Sequence, residues 1–131
     1  LKTMNMMTEV DILLIKQIEL KYLTKFNQLL HHIEEHYMED LDLDTLAESV
    51  GFSKYHFLRL FKQYTGTTLG EYTTLYRLKV AEKLLCDPNI SITDVAAQSG
   101  FSSISTFNRI FKQYKKCSPS EYRLHNTSHK F

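Results

Sequence analysis

The sequence predicts an all-α fold of two helix-turn-helix subdomains joined by a linker helix, with an extra N-terminal helix before them. Three observations favour this fold class. The 131 residues include only four Gly and two Pro, which leaves room for long helices. Apolar residues recur at helical spacing. A segment in the middle of the chain is repeated further on, and each copy has the pattern of a short helix, a glycine turn and a longer helix.

The repeat covers residues 46–64, LAESVGFSKYHFLRLFKQY, and residues 95–114, VAAQSGFSSISTFNRIFKQY. The copies are offset by 49 residues before the serine that follows Gly-Phe and by 50 after it, so the second copy has one extra residue. Two copies indicate duplication of a small unit, because a solenoid needs at least about three repeats.

Residue types at the helix ends predict the elements of the first copy. Asp42 is an N-cap for a short helix over 43–50. Gly51 suits the left-handed turn that ends this helix. Ser53 is an N-cap for the longer helix over 54–65.

The second copy is predicted in the same way. Ser91 caps a helix over 92–99, Gly100 ends it, and Ser102 caps a helix over 103–115.

Helices are also predicted before, between and after the copies. Thr68 and Glu71 form a capping box for a linker helix over about 69–86. A capping box at 118–121, with Pro at the first helical position, opens a last short helix. An N-terminal helix over about 10–37 has one apolar face, formed by Ile15, Ile18, Tyr22, Phe26, Leu29 and Ile33. Its early part, around residues 12–15, is more apolar than a solvated helix needs.

These elements predict four segments. Residues 1–20 are a helical extension, 21–67 the first helix-turn-helix subdomain, 68–87 the linker helix and 88–131 the second subdomain. Because the chain starts at Leu1, we expect a C-terminal fragment whose sensing or dimerisation domain is missing.

Charge is segregated along the chain although the net charge is only +1. Residues 1–52 carry a balance of −6, residues 53–83 of +4 and residues 100–131 of +5. Segregated charge favours a local anion-binding face. No apolar run is long enough for a membrane span, and two cysteines are too few for a disulfide framework, so we expect a cytoplasmic protein.

The predicted second helix of each copy has a core stripe and an outward face. The stripes are Phe57, Leu60, Phe61 and Tyr64 in the first copy and Phe107, Ile110, Phe111 and Tyr114 in the second. The outward faces hold Tyr55, Leu58, Arg59 and Lys62, and Ser105, Asn108, Arg109 and Lys112. Arg and Asn can bind guanine and adenine edges bidentately, and Lys suits phosphates. In one copy this pattern would be weak, since outward Arg and Lys are usually only solvated. Two copies in register favour DNA binding.

Several motifs together resemble the DNA-binding domain of the AraC/XylS family of bacterial transcription regulators. They are the repeated G-F-S…F-x-R-x-F-K-x-Y, the intervening Arg77-Leu78…Ala81…Leu84-Leu85 and the closing Ser118-Pro119-Ser120-Glu121-Tyr122-Arg123. The resemblance covers about residues 24–124. It implies two recognition helices in adjacent major-groove segments of double-stranded DNA, and RNA polymerase as a further partner.

The resemblance also implies residue roles. Base reading falls by motif position on Tyr55, Leu58, Arg59, Ser105, Thr106 and Arg109, with Asn108 beside them on the outward face. The phosphate-contacting candidates are Ser53, Lys54, His56, Lys62, Ser102, Ser103 and Lys112. Leu58 and Ile104 stand where polar readers are common, so they would touch a thymine methyl or make no specific contact.

Other interpretations are weaker. His32 and His36 lie one turn apart, but no third ligand is evident, so we predict no metal site. Cys117 follows two lysines, which would favour a thiolate, yet a plain small residue explains it as well. No nucleophile motif or phosphate loop is found, so neither an enzyme nor a cofactor is expected. The alternative function is a helical protein-interaction module that docks through the apolar N-terminal helix.

Overall fold

The computed structural model describes residues 8–128, and within this range the chain forms seven α-helices and no strand. They are α1 (Glu9–Glu35), α2 (Leu43–Ser49), α3 (Lys54–Thr65), α4 (Leu69–Leu85), α5 (Ile92–Gln98), α6 (Ile104–Lys115) and α7 (Pro119–Ser128). The all-α prediction is confirmed. The part of the predicted extension before residue 8, and the side chains of Ile15 and Ile18, lie outside the described residues.

The first core lies between the second half of α1, α2 and α3. Phe26, Leu29 and Ile33 of α1 are buried, as are Phe57 and Phe61 of α3. Leu46 and Ala47 of α2 and Val50 after it complete the cluster. Ala47 is only 2% exposed, and a small residue there lets α2 and α3 cross closely.

The second core repeats this arrangement, with α4 in the place of α1. Leu78, Ala81 and Leu85 of α4 pack with Phe107 and Phe111 of α6. Val95 and Ala96 of α5 fill the positions that correspond to Leu46 and Ala47.

Helix α4 belongs to both cores. Its first turn contributes Leu69 and Tyr72 to the first cluster, and its second half contributes Leu78, Ala81 and Leu85 to the second. At 1.5 Å per residue, its 17 residues span roughly 26 Å. One helix therefore fixes the two units to each other.

Both glycine turns have the predicted conformation. Gly51 and Gly100 have φ of 77° and 90°, a region that side chains with a Cβ rarely adopt. After each turn the next backbone N–H returns to α2 or α5: Phe52 donates to the Ala47 carbonyl and Phe101 to the Ala96 carbonyl, both at 3.0 Å. These hydrogen bonds hold the chain after each glycine turn against the helix that precedes the turn.

Two expectations about the recognition helices are wrong. The N-cap of α6 is Ser103, not Ser102, and the helix begins at Ile104; the Ser103 hydroxyl accepts the Thr106 N–H at 3.1 Å. Ser102 is therefore the extra residue of the second copy and lengthens the turn. Tyr64 and Tyr114, expected inside, are 43% and 38% exposed, although the Tyr64 ring still stacks on the core residue Phe26 at 5.0 Å.

Helix α3 has the predicted bounds, and four other helices end one or two residues before the predicted end. Helix α1 ends at Glu35, α2 at Ser49, α4 at Leu85 and α5 at Gln98. The Thr68 hydroxyl accepts the Glu71 N–H at 3.2 Å and so caps α4, which is one of the two bonds of the predicted capping box. Within residues 8–128, no helix has both the length and the apolar character that crossing a membrane requires.

Candidate nucleic-acid interface

Helix α3 presents one continuous exposed face. Tyr55 is 84% exposed and Leu58 36%, and Lys54, Arg59 and Lys62 are exposed beside them. Phe57 and Phe61, fully buried on the opposite side, fix this face outward. The face combines an aromatic ring, an aliphatic side chain and three cations, which suits the edges of bases and the phosphates beside them.

The N-terminus of α3 is held by two contacts. The Ser53 hydroxyl accepts the His56 N–H at 3.3 Å, which leaves the hydroxyl hydrogen available to a phosphate oxygen. The His56 ring stacks on Phe52, with centroids 4.7 Å apart and an interplanar angle of 9°. His56 is nevertheless exposed. It therefore packs on Phe52 and also faces solvent, so its ring is open to the predicted phosphate contact.

Helix α6 presents the equivalent face with more polar chemistry. Ser105, Asn108, Arg109 and Lys112 are exposed, and Ile104 is 38% exposed at the start of the helix.

The first turn of α6 differs from that of α3 because two predicted contact residues bind each other. The Ser103 hydroxyl donates to Thr106 Oγ1 at 2.9 Å, and Thr106 is half-buried. Thr106 is thus less open than the other predicted readers, whereas Ser102 is exposed in the turn.

Two open grooves adjoin these faces. Leu58, Arg59 and Lys62 line one together with Gln63 and the N-terminus of α4, Thr68 to Gly70. Ser102 and Thr106 line the other, which lies between the units and includes Met38, Asp40 and Arg77. Gln63 is not among the contact residues predicted from the sequence, although it is a polar residue next to Lys62. Gln113 is the equivalent residue of the second copy.

Several basic residues of the positive segments serve internal contacts instead. Lys115 forms an ion pair with Glu82 of α4. Arg77 and Arg123 each donate to two backbone carbonyls. Among the described residues of these segments, the cations on the recognition faces are Lys54, Arg59, Lys62, Arg109 and Lys112, while Lys79, Lys83 and Lys116 are exposed elsewhere.

The histidines at the C-terminal end of α1 and directly after it contact acids and each other. His31 Nε2 lies 2.9 Å from Glu35 Oε1, and His36 Nδ1 lies 3.2 Å from Glu39 Oε2. The rings of His32 and His36 are 4.4 Å apart. Among the described residues no group of three or more His, Cys, Asp or Glu is placed to hold a metal ion.

Two equivalent units with exposed second helices define a tandem helix-turn-helix domain, and comparison with known proteins gives its family. The model of a helix-turn-helix domain family matches residues 46–125. The chain is 44% identical over 89 residues to the probable transcription factor PqrA of Proteus vulgaris, covering 68% of this chain and 73% of that protein. The chain belongs to the AraC-type helix-turn-helix family of DNA-binding transcription regulators, as the motifs predicted.

A longer relative and a solved structure agree with this assignment. The chain is 34% identical over 108 residues to the regulatory protein PocR of Salmonella typhimurium, covering 81% of this chain but only 36% of that protein. The DNA-binding domain of AdpA, solved in complex with a target DNA, has a TM-score of 0.72 and 27% identity, covering 79% of this chain and 93% of that one.

Proposed function

We propose that α3 and α6 read two adjacent major-groove segments of one DNA duplex. The observation that carries this proposal is the equivalence of the exposed faces of α3 and α6, two helices whose units both pack on α4. In the first segment the readers are Tyr55, Leu58 and Arg59. In the second they are Ser105, Thr106, Asn108 and Arg109. The similarity to AdpA, whose domain was solved with DNA, supports this use of the two helices.

Phosphate contacts hold each helix in register. We assign them to Ser53, Lys54, His56 and Lys62 in the first unit and to Ser102, Ser103 and Lys112 in the second. The assignment is supported by position, since hydroxyls and N–H groups at a helix N-terminus and cations along its flank bind phosphates well. The Ser103 hydroxyl already donates to Thr106, so a phosphate contact there requires this hydroxyl to rotate.

The readers differ in the information that they supply. Arg59 and Arg109 can donate two hydrogen bonds to a guanine, and each such pair discriminates by about 1–3 kcal/mol. Leu58, which is 36% exposed, can contact a thymine methyl but cannot select by hydrogen bonding. We therefore expect the second segment, with its four polar readers, to be the more stringently selected.

The domain organisation extends the proposal. Residues 21–67 and 88–131 act as the two DNA-binding subdomains and 68–87 as their rigid linker. The exposed apolar residues of α1, among them Leu13 and Leu20, pack against a sensing or dimerisation domain. A longer parent protein of this kind would work in the cytoplasm and contact RNA polymerase. The limited coverage of PocR supports this layout.

The alternative, a protein-interaction module, is favoured by the same apolar residues of α1. It predicts a chain without sequence-selective, salt-sensitive DNA affinity, because no step of its function needs phosphates.

Binding-site selection from random duplexes, followed by alanine variants, tests the DNA-reading proposal. Arg59→Ala and Arg109→Ala should each weaken binding to the selected site by about 1–3 kcal/mol, at different base pairs. Lys62→Ala should weaken binding to all sequences similarly and flatten its salt dependence. Lys21→Ala, on the exposed surface of α1, is the matched control and should change neither quantity. Footprints that weaken at the same base pairs in both arginine variants would refute the assignment of two readers.

A further inference from the structure

The two units touch at a second place besides α4. The loop after α1 meets the turn between α5 and α6. The Tyr37 hydroxyl donates to the Gln98 carbonyl at 3.0 Å, joining residues 61 positions apart. A Cβ atom at Gly100 would lie 3.3 Å from both the Met38 Cα and the Tyr37 carbonyl oxygen. The backbones of the two units therefore approach as closely as a glycine allows.

Arg77 of α4 lies at the centre of this contact. Its Nε donates to the Tyr37 carbonyl at 2.7 Å, and its terminal NH2 donates to the Glu39 carbonyl at 3.4 Å. The same Nε would be 3.2 Å from a Cβ at Gly100. Because the guanidinium fork is planar and rigid, it holds the loop after α1 in one position against the second unit.

The contact lies where the molecule otherwise depends on a single helix. Tyr72 is the last residue of α4 that packs on the first core, and Leu78 is the first buried residue of the second. Between them the units are joined by α4, whose Tyr76 meets the Tyr37 ring edge-on at 5.5 Å, and a long helix can bend. A second contact between the units, beside α4, restrains this bending, because bending of α4 would break the hydrogen bonds of that contact.

We propose that Tyr37, Arg77 and Gly100 form an inter-unit contact that sets the separation and angle of α3 and α6, and thereby the half-site spacing that the domain selects. These are positioning residues, distinct from the residues assigned to DNA. The inference rests on the proposed function, in which α3 and α6 bind one duplex together.

The chain contains a matched control for the glycine. Gly51 has the same backbone conformation as Gly100, with φ of 77° against 90°, but no atom lies within 4 Å of a Cβ built on it. Alanine at either position strains the backbone, and only at Gly100 does it also press on the inter-unit contact.

The decisive measurement is spacing selectivity. It is the affinity for the selected duplex divided by the affinity for a duplex in which base pairs, roughly 2 in one case and 5 in another, are inserted between the half-sites. Tyr37→Phe removes one hydrogen bond and should lower this ratio by about threefold to tenfold. Gly100→Ala should lower it at least as much. Gly51→Ala should reduce the melting temperature and leave the ratio unchanged. Affinity for a single half-site should stay within about twofold for Tyr37→Phe, since no proposed DNA contact is lost.

Residual dipolar couplings of the free protein test the contact without DNA. In the unmodified chain α3 and α6 should share one alignment tensor, and in Tyr37→Phe the two tensors should diverge. If Tyr37→Phe keeps both the spacing ratio and the common tensor, the inter-unit contact does not position the helices and the inference is wrong; Tyr37→Phe decides this even if Gly100→Ala fails to fold. An unmodified chain that selects no DNA sequence would instead overturn the proposed function, while the tensors would still report on the contact.

Discussion

The two helix-turn-helix units share a repeated pair of helices but complete it with different partners. In the first unit α1 contributes Phe26, whose ring is stacked 6.2 Å from Phe57 with an interplanar angle of 5°, and 5.0 Å from Tyr64. In the second unit α4 contributes Leu78, Ala81 and Leu85 to the same side of the core. The repeat thus specifies the turn and the recognition helix, and either aromatic or aliphatic side chains can support them.

The two units also differ in whether their supporting helix packs on one core or on both. Helix α1 serves only the first core, whereas α4 serves both and carries Arg77 of the inter-unit contact. A change in α1 should therefore stay local, and a change in α4 should reach both units.

The largest expected effect tests this asymmetry. Phe26→Ala should lower the free energy of unfolding by about 3–5 kcal/mol, because it leaves a cavity among stacked rings. Hydrogen exchange should show lost protection in α2 and α3 while the amides of α5 and α6 stay protected. Leu78→Ala should cost about 2–5 kcal/mol and lower protection in both units.

Equal loss of protection in all helices of Phe26→Ala would contradict the comparison, since it would mean that the two cores unfold as one. Tyr22→Ala is a useful control in the same helix. Its ring lies 5.3 Å from Phe52 but remains half-exposed, so a smaller loss confined to the first unit is expected.

The parts predicted from sequence are those with local causes. Gly51 and Gly100 signalled their turns because positive φ has few alternatives to glycine. The sequence around the start of α6 does not by itself distinguish Ser102 from Ser103 as the N-cap, because both are equally good caps in isolation. The spacing to the first buried phenylalanine of each helix identifies Ser103 as the cap, because Ser103 precedes Phe107 by four residues, as Ser53 precedes Phe57.

Contacts between distant residues were not predictable in this way. The bonds of Arg77 reach carbonyls 38 and 40 residues earlier, and backbone carbonyls carry no residue-type signal. The pairing of Ser103 with Thr106 also depends on rotamers that the sequence does not specify. The roles of the exposed readers stay predictions, since an exposed side chain is compatible with solvation as well as with DNA.

The C-termini of the recognition helices give a second, smaller contrast. Gly66 ends α3 with φ of 80°, and Lys116 ends α6 at the equivalent position with φ of 65°. Both donate their N–H to the carbonyl four residues earlier, at 2.8 and 2.9 Å. Lys116 is the one non-glycine residue with positive φ between residues 8 and 128.

Exchanging these two residue types should shift stability in opposite directions. Gly66→Lys should lower the free energy of unfolding by about 1 kcal/mol, because a Cβ is disfavoured in this conformation. Lys116→Gly should raise it by roughly 0.5 kcal/mol, since relief of strain exceeds the added entropy of the unfolded chain. Urea unfolding measures both. Destabilisation by Lys116→Gly would show that the lysine side chain contributes more than its backbone costs.

The smallest expected effect concerns the tyrosines that close the two cores. Tyr72 meets Phe61 edge-on at 5.7 Å, and Tyr122 meets Phe111 at 5.4 Å. Burial, and then the hydrogen bond that its hydroxyl donates to Glu34 Oε1 at 2.9 Å, raise the pKa of Tyr72 to about 12. Burial, and then the charge of Glu82, also raise the pKa of Tyr122.

A raised pKa means that the fold favours the neutral phenol of Tyr72. Its contribution to stability is complete below the unfolded value of about 10 and is lost as the pH rises from there towards 12. Between these values the free energy of unfolding should fall more steeply in the unmodified protein than in Tyr72→Phe. Comparing the variants by urea unfolding cancels the titration of lysines, which both share. Because solvent reaches part of the Tyr72 ring, the difference in pH dependence between the unmodified protein and Tyr72→Phe should be smaller than it would be for a fully buried tyrosine. Tyr122→Phe should flatten the pH dependence less, since its ring has no equivalent of Glu34 as acceptor among the contacts that raise its pKa. Equal slopes for the unmodified protein and Tyr72→Phe would show that Glu34 does not hold the phenol in its neutral form.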